Sequence, residues 1–418
     1  MPGRPTHRTP AIRCPLNALI LASCAQACSQ AAAAGADRAS PQDAAPRDVA
    51  IGLALDTDRG GMLALERGVT LATQTLADDP AARARRVRFT VRGARPDAST
   101  AVAATERLRD DPAVIGVVGD PESGRSESGR SGNGRSPGTR PTIDDAAHGD
   151  AHALATVAPT ATNAALVGRS PWLFRLSPDD ETASRAVAAY VADSLGARRA
   201  AVVYRNDASG RDWAAAFAHA FARRGGALVA RDPYLAGVTE WPVYARYLAS
   251  RHPEVVLFPG SADDAGQLLR ALRAAGDRTP FVGGDAVAPL ADSAEFAGMR
   301  YAVPFAAATA ARPGAPAAAR AFVARYVARY GERPNARAAM AYEAALLLGR
   351  AALAVDLDAP DRRRRVRDWL ATLGGATPAV PGVAGPIAFD AGHGVVGRGV
   401  VVATVPVDRS AAVRPSAP

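Results

Sequence analysis

Six short apolar runs in this chain each stop at a small polar turn, and helix-like stretches lie between most of them. The runs are Val49 to Leu55, Val114 to Val118, Ala153 to Ala158, Ala200 to Arg205, Val255 to Pro259 and Phe281 to Gly284. The turns after them begin at Asp56, Ser123, Pro159, Asn206, Ser261 and Asp285. Strands that alternate with helices assemble into parallel sheets through right-handed crossovers. Ligands of such open α/β sheets bind in the crevice beyond the carboxyl ends of the strands. The polar turns are therefore the first place to look for function.

The helix-like stretches run over Gly61 to Leu76, Ser99 to Arg109, Pro141 to His152, Glu181 to Leu195, Asp264 to Ala275, Pro316 to Tyr330 and Ala336 to Ala354. Further strands are read at Val87 to Arg92, Leu228 to Tyr234, Tyr301 to Ala306 and Val400 to Val407. Trp213, Phe217 and Phe221 recur every four residues, the spacing of a helix packed on a sheet, so this aromatic stripe reads as core and not as a ligand-stacking face. At 418 residues the chain is long enough for two domains.

The formal charge is +9, yet the sequence contains no Lys, and its Arg residues are scattered among Asp and Glu. Scattered charge of this kind is a solvated surface; nucleic-acid binders concentrate it on one face. Cys14, Cys24 and Cys28 all lie in the first 28 residues, so disulfide or zinc-thiolate chemistry is not expected in the folded body. Arg4, Arg8 and Arg13 precede an apolar stretch from Leu16 to Ala22, the layout of a secretory signal. Residues 1–23 are expected to be that signal, and Leu21-Ala22-Ser23-Cys24 resembles the bacterial lipobox, which makes Cys24 the candidate lipidation site. Multiple acyl chains on one residue suffice for stable membrane attachment. Residues 24–47, without apolar periodicity, suit a tether, and no later segment has the apolar length of a membrane span. An ordinary cleaved signal with a chance cysteine is the alternative.

Enzymatic machinery is not evident. Gly134-Arg135-Ser136-Pro137-Gly138 matches the pattern of a hydrolase nucleophile elbow, but it lies in a low-complexity stretch, Gly124 to Arg140, without the strand and helix that such an elbow requires. His148 and His152 have helical spacing for one metal, yet two ligands do not make a site. No cofactor is expected. The strand-end residues are mostly hydroxyls with two carboxylates. Hydroxyls and free N–H groups at helix starts hold a carboxylate, and an Asp pairs with an ammonium, a combination suited to a zwitterion. Each Ser or Thr is equally able simply to cap the helix that follows it.

Taken in order, Val118-Gly119 with Ser123, Pro159-Thr160-Ala161-Thr162-Asn163, Trp172-Leu173-Phe174-Arg175-Leu176-Ser177-Pro178, Gly283-Gly284-Asp285, Ala341-Tyr342-Glu343-Ala344 and Gly385-Pro386-Ile387-Ala388-Phe389-Asp390 resemble the leucine/isoleucine/valine-type periplasmic binding proteins, the substrate-binding subunits of ABC importers. The likeness spans about Asp48 to Val407. It implies an α/β fold of two doubly wound parallel-sheet lobes joined by three crossovers, with residues 48–174 and 287–376 in the first lobe, 175–286 and 377–408 in the second, and a tail over 409–418. It also implies that Ser123 and Thr162 offer hydroxyls to the ligand carboxylate, that Thr160 uses its backbone, and that Asp285 pairs with the α-ammonium. Ser209 and Ser261 stand where amino-acid binders place Tyr, and Thr142 is an alternative to Ser123 beyond the insertion. The expected partners are a small-molecule ligand, an amino acid or relative, ABC permease subunits, and a membrane reached through the lipid anchor at the exported face of the cell envelope. The rival reading is a sensor or envelope-assembly protein that uses this fold to contact a protein partner.

Overall fold

The computed structural model describes residues 46–54, 59–93, 105, 107–120 and 153–406. Two sheets organise them. The first has the order β2-β1-β3-β4-β5, with β1 (Arg47–Ala54), β2 (Val87–Gly93), β3 (Val114–Gly119), β4 (Ala155–Ala158) and β5 (Leu173–Arg175), and every pairing in it is parallel. β3 and β4 are buried along their whole length, as central parallel strands covered on both faces must be. Helices α1 (Arg59–Ala77) and α7 (Ala336–Ala354) pack together on this sheet, and their contact is close enough that a Cβ on Gly68 would meet the Ala338 carbonyl at 2.3 Å. Only glycine permits that approach.

The second sheet has the order β11-β10-β9-β8-β6-β7, built from β6 (Arg199–Arg205), β7 (Ala227–Tyr234), β8 (Val255–Phe258), β9 (Phe281–Gly283), β10 (Arg300–Val303) and β11 (Val401–Thr404). It is parallel except for β11, which pairs antiparallel with β10 at the edge. One face is covered by α2 (Asp180–Ala189) and α3 (Ala208–Ala222), whose Trp213, Phe217 and Phe221 stack in sequence inside the core. The aromatic stripe is thus core, as its spacing predicts. The other face is covered by α4 (Trp241–Arg251) and α5 (Ala262–Ala274), with Trp241, Leu248, Leu268 and Leu272 buried against Val256 and Phe258. Each fully buried large side chain contributes about 1.5–3 kcal/mol relative to an exposed one.

The lobe boundaries differ from those read in the sequence. Val287, Phe296 and Met299 belong to the second core and β10 pairs with β9, so the second lobe runs on to residue 303 before Phe305 enters the first core against Phe322 of α6 (Ala317–Tyr330). Val383, Ile387, Phe389 and Val395 also pack in the first core, and the second sheet regains the chain only at β11. An ion pair adds to this packing: the side chains of Glu343 of α7 and Arg398 are each 1 % exposed and joined at 2.7 and 3.0 Å. Arg398 also donates to the Pro386 and Gly385 carbonyls, while the Ala384 N–H donates to Glu343. This buried pair holds the returning segment on the first lobe. Two of the crossing stretches lie side by side, since the Arg175 N–H donates to the His393 carbonyl and the Val395 N–H to the Arg175 carbonyl, both at 2.9 Å.

Candidate functional site

The carboxyl ends of β3 and β4 are neighbours because the two strands pair Gly116 with Ala155, Val117 with Thr156 and Val118 with Val157. Two residues further on, that register sets Asp120 beside the turn at Pro159 to Ala161. Asp120 is 6 % exposed. Its Oδ1 accepts the N–H groups of Thr160 (3.1 Å) and Ala161 (3.0 Å), and its Oδ2 accepts the Thr160 hydroxyl at 2.5 Å. Burial pushes the Asp120 carboxyl up, while these three donors and the charge of Arg337 oppose that shift. Three donors directed at both oxygens suit the ionised form.

Thr162 sits in the same turn, and its hydroxyl lies near enough to the carboxyl of Asp180, the first residue of α2, to lower its pKa. The chain has already crossed between the sheets there, and the Ser209 hydroxyl in the first turn of α3 donates to Asp180 Oδ2 at 3.2 Å. Asp180 therefore ties a strand end of the first lobe to a helix start of the second. Its carboxyl is pushed up by burial, against the two hydroxyl donors. The Asp180 N–H also donates to the Thr162 carbonyl at 3.2 Å.

Asp285 follows Gly284 at the end of β9, half-buried at the start of a 3₁₀ segment, Asp285–Asp292. Burial pushes its carboxyl up to about 6, the Asp180 charge adds to the shift, and Arg337 and the N–H groups of Ala286 and Asp285 oppose it. Arg337 stands in the first turn of α7, behind the cap made by Asn335. A cation at a helix N-terminus works against the helix dipole. Its favourable surroundings are instead Asp120 and Asp285, on which its charge acts across the two lobes.

Among the residues read from the sequence, the structure groups Thr160, Thr162, Ser209 and Asp285 around Asp120 and Asp180. Ser261 serves differently. It caps α5 by accepting the Asp264 N–H at 3.2 Å, and its hydroxyl donates to Asp264 Oδ2 at 2.8 Å, where the buried Tyr234 hydroxyl also donates. Ser123, its alternative Thr142, Asp56, Cys24, Ser136 and the His148/His152 pair lie outside the described residues. Asp120, Asp180 and Arg337 carry much of the site's charge, and sequence reading missed all three. The signal for Asp120 was its place directly after a strand; that for Asp180 was a carboxylate at the start of a predicted helix. Among the described residues no group of His, Cys, Asp and Glu is arranged to hold a metal, and no helix is long and apolar enough to cross a membrane.

A structure of a leucine-binding protein from Thermotoga maritima is 21% identical, with a TM-score of 0.64 over 86% of this chain and 95% of that one. A branched-chain amino acid transporter substrate-binding protein from Streptococcus pneumoniae, in complex with isoleucine, is 22% identical, with a TM-score of 0.67 over 86% and 97%. A solute-binding protein of an ABC transporter from R. palustris, in complex with benzoate, is 19% identical, with a TM-score of 0.65 over 86% and 93%. These likenesses establish a shared fold. A search among curated proteins finds no match. The family model described as periplasmic binding protein matches residues 49–411, and the chain belongs to that family.

Proposed function

We propose that this protein is the solute-binding component of an ABC importer, holding an amino acid or a related small polar molecule with a cationic nitrogen between its lobes. The observation that carries the reading is the convergence on Asp180: its N–H donates to the Thr162 carbonyl of the first lobe, its carboxylate accepts the Ser209 hydroxyl of the second, and its charge acts on Asp285. A ligand that contacts groups from both lobes stabilises the closed arrangement by its differential contacts. The acidic residues at the site favour a cationic group over an aromatic carboxylate such as benzoate. Delivery to permease subunits, export, and attachment to the envelope through Cys24 complete the proposal, the last supported by the sequence Leu21-Ala22-Ser23-Cys24.

Calorimetry with a panel of amino acids, their amides and small amines tests it. At least one member binds, and Asp285→Ala weakens that binding a hundredfold or more. If no member of the panel binds the full chain, the solute-receptor reading fails. If a member binds equally well to Asp285→Ala, the role of Asp285 fails.

A further inference from the structure

Of the donors that the family resemblance implies for a ligand carboxylate, Ser123 lies outside the described residues, and the Thr160 N–H already holds a carboxylate of the protein. The Thr160 N–H, the Thr160 hydroxyl and the Ala161 N–H all donate to Asp120. The arrangement around Asp120 follows from register and is not a surface accident. β3 and β4 are adjacent and parallel, so the residue after Gly119 falls against the turn after Ala158. Asp120 is buried there, with both oxygens satisfied.

We propose that Asp120 acts as a built-in substitute for a ligand carboxylate and sets specificity, so that the solute is a cation without a carboxylate, such as an amine or guanidine. This rests on the solute-receptor reading above. A zwitterionic amino acid would have to displace Asp120 from three donors, or set its own carboxylate beside those of Asp120 and Asp180. Like charges in a partly buried site repel strongly. Among the described residues Arg337 acts on Asp120 and Asp285, while Arg175, offset by Asp179, acts on Asp180; a cationic solute adds favourable charge to these three carboxylates, whereas a zwitterion adds no net charge. Both the occupied donors and the charge balance point to the same ligand class.

Matched pairs that differ only by a carboxylate test the proposal on the full chain: leucine against 3-methylbutylamine, lysine against cadaverine, and arginine against agmatine, by calorimetry at pH 7.5. In at least one pair the carboxylate-free member binds tenfold or more tightly than its partner. If no pair shows a tenfold preference for the carboxylate-free member, the inference is overturned and the solute-receptor reading is left standing. Absence of binding by all six probes, with binding of an amide or another neutral solute, likewise overturns it and spares the receptor reading. Absence of binding across the wider panel removes both. Two variants separate occupancy from charge, each checked for folding by its melting curve. Asp120→Asn keeps an acceptor for the two N–H groups and lowers amine affinity without admitting amino acids. Asp120→Ala opens the donors and narrows the preference for the amine tenfold or more, and an unchanged preference in a folded Asp120→Ala protein overturns the role given to Asp120.

Discussion

Replacing Asp285 with Asn should make the empty protein more stable while removing its ability to hold a cation. The native carboxyl keeps its proton up to about pH 6, against an ordinary value of 3.8. Between those values the folded state binds more protons than the unfolded one, so stability falls as pH rises through that window. Asp285 exerts no penalty below pH 3.8, where both states are protonated, and its full penalty above pH 6. A difference of about two pKa units at 1.36 kcal/mol each gives roughly 3 kcal/mol at neutral pH. Asn has the same shape, and its amide oxygen still accepts the N–H bonds that Ala286 and residue 285 itself supply. It carries no charge to bury or to repel Asp180.

The assay is thermal unfolding of ligand-free protein, wild type beside Asp285→Asn, from pH 4 to pH 7.5. With an unfolding entropy of about 2.1 cal/mol/K per residue, a unit of this size shifts by roughly 1 to 2 °C per kcal/mol. The two proteins should melt together at pH 4, and the Asn variant should melt about 4 °C higher at pH 7.5. A difference that does not change with pH, or a variant that melts lower at pH 7.5, refutes the reasoning. Either result would mean that the carboxylate is better solvated or better paired in the empty cleft than its position implies.

The same titration governs binding: if an amine needs the ionised Asp285, its affinity falls up to tenfold per unit below about pH 6, and a flat calorimetric profile from pH 5 to 8 would detach Asp285 from the ligand. Glu343→Ala leaves Arg398 charged and buried without its partner, which costs about 3–5 kcal/mol in denaturant unfolding, whereas replacing both residues with apolar ones of similar size costs much less. Gly68→Leu drives a side chain into the Ala338 carbonyl, separates α1 from α7 and lowers the melting temperature, while leaving the second lobe's aromatic core untouched. Phe217→Ala removes a fully buried ring between Trp213 and Phe221 and costs about 3–5 kcal/mol by the same measurement.

Much of the fold was legible because local patterns encode it. Apolar runs marked ten of the eleven strands among the described residues, six of them by the polar turns at their ends, the exception being β5, and the four-residue spacing of Trp213, Phe217 and Phe221 marked a helix face. The helices Trp241–Arg251 and Arg362–Ala371 carry weaker patterns, the second being a run of Arg with only Val366 and Leu370 buried. The lobe boundary near the end was hidden for a different reason. Residues 377 to 396 stay with the first lobe in part because Arg398 reaches a Glu 55 positions earlier in the chain, a pairing of distant residues that no window of sequence displays.

The site shows the same division between local and distant information. Donors can be read from sequence, because a Thr in a turn after a strand is recognisable wherever it falls. What those donors hold depends on which strand end lies next to them. The turn at Thr160 looks like an open carboxylate cradle until the pairing of β3 with β4 brings Asp120 into it from 40 residues away. Ser261 makes the converse point: a hydroxyl at a strand end, equally suited to a ligand, closes on Asp264 three residues ahead and on the Tyr234 network. A hydroxyl whose partner lies within its own turn is spent on folding. One whose partner arrives from the other lobe, as Thr162 and Ser209 meet at Asp180, is available to sense closure. In this chain, the chemistry of a strand-end turn is therefore better inferred from which acceptors the register delivers to it than from the turn itself.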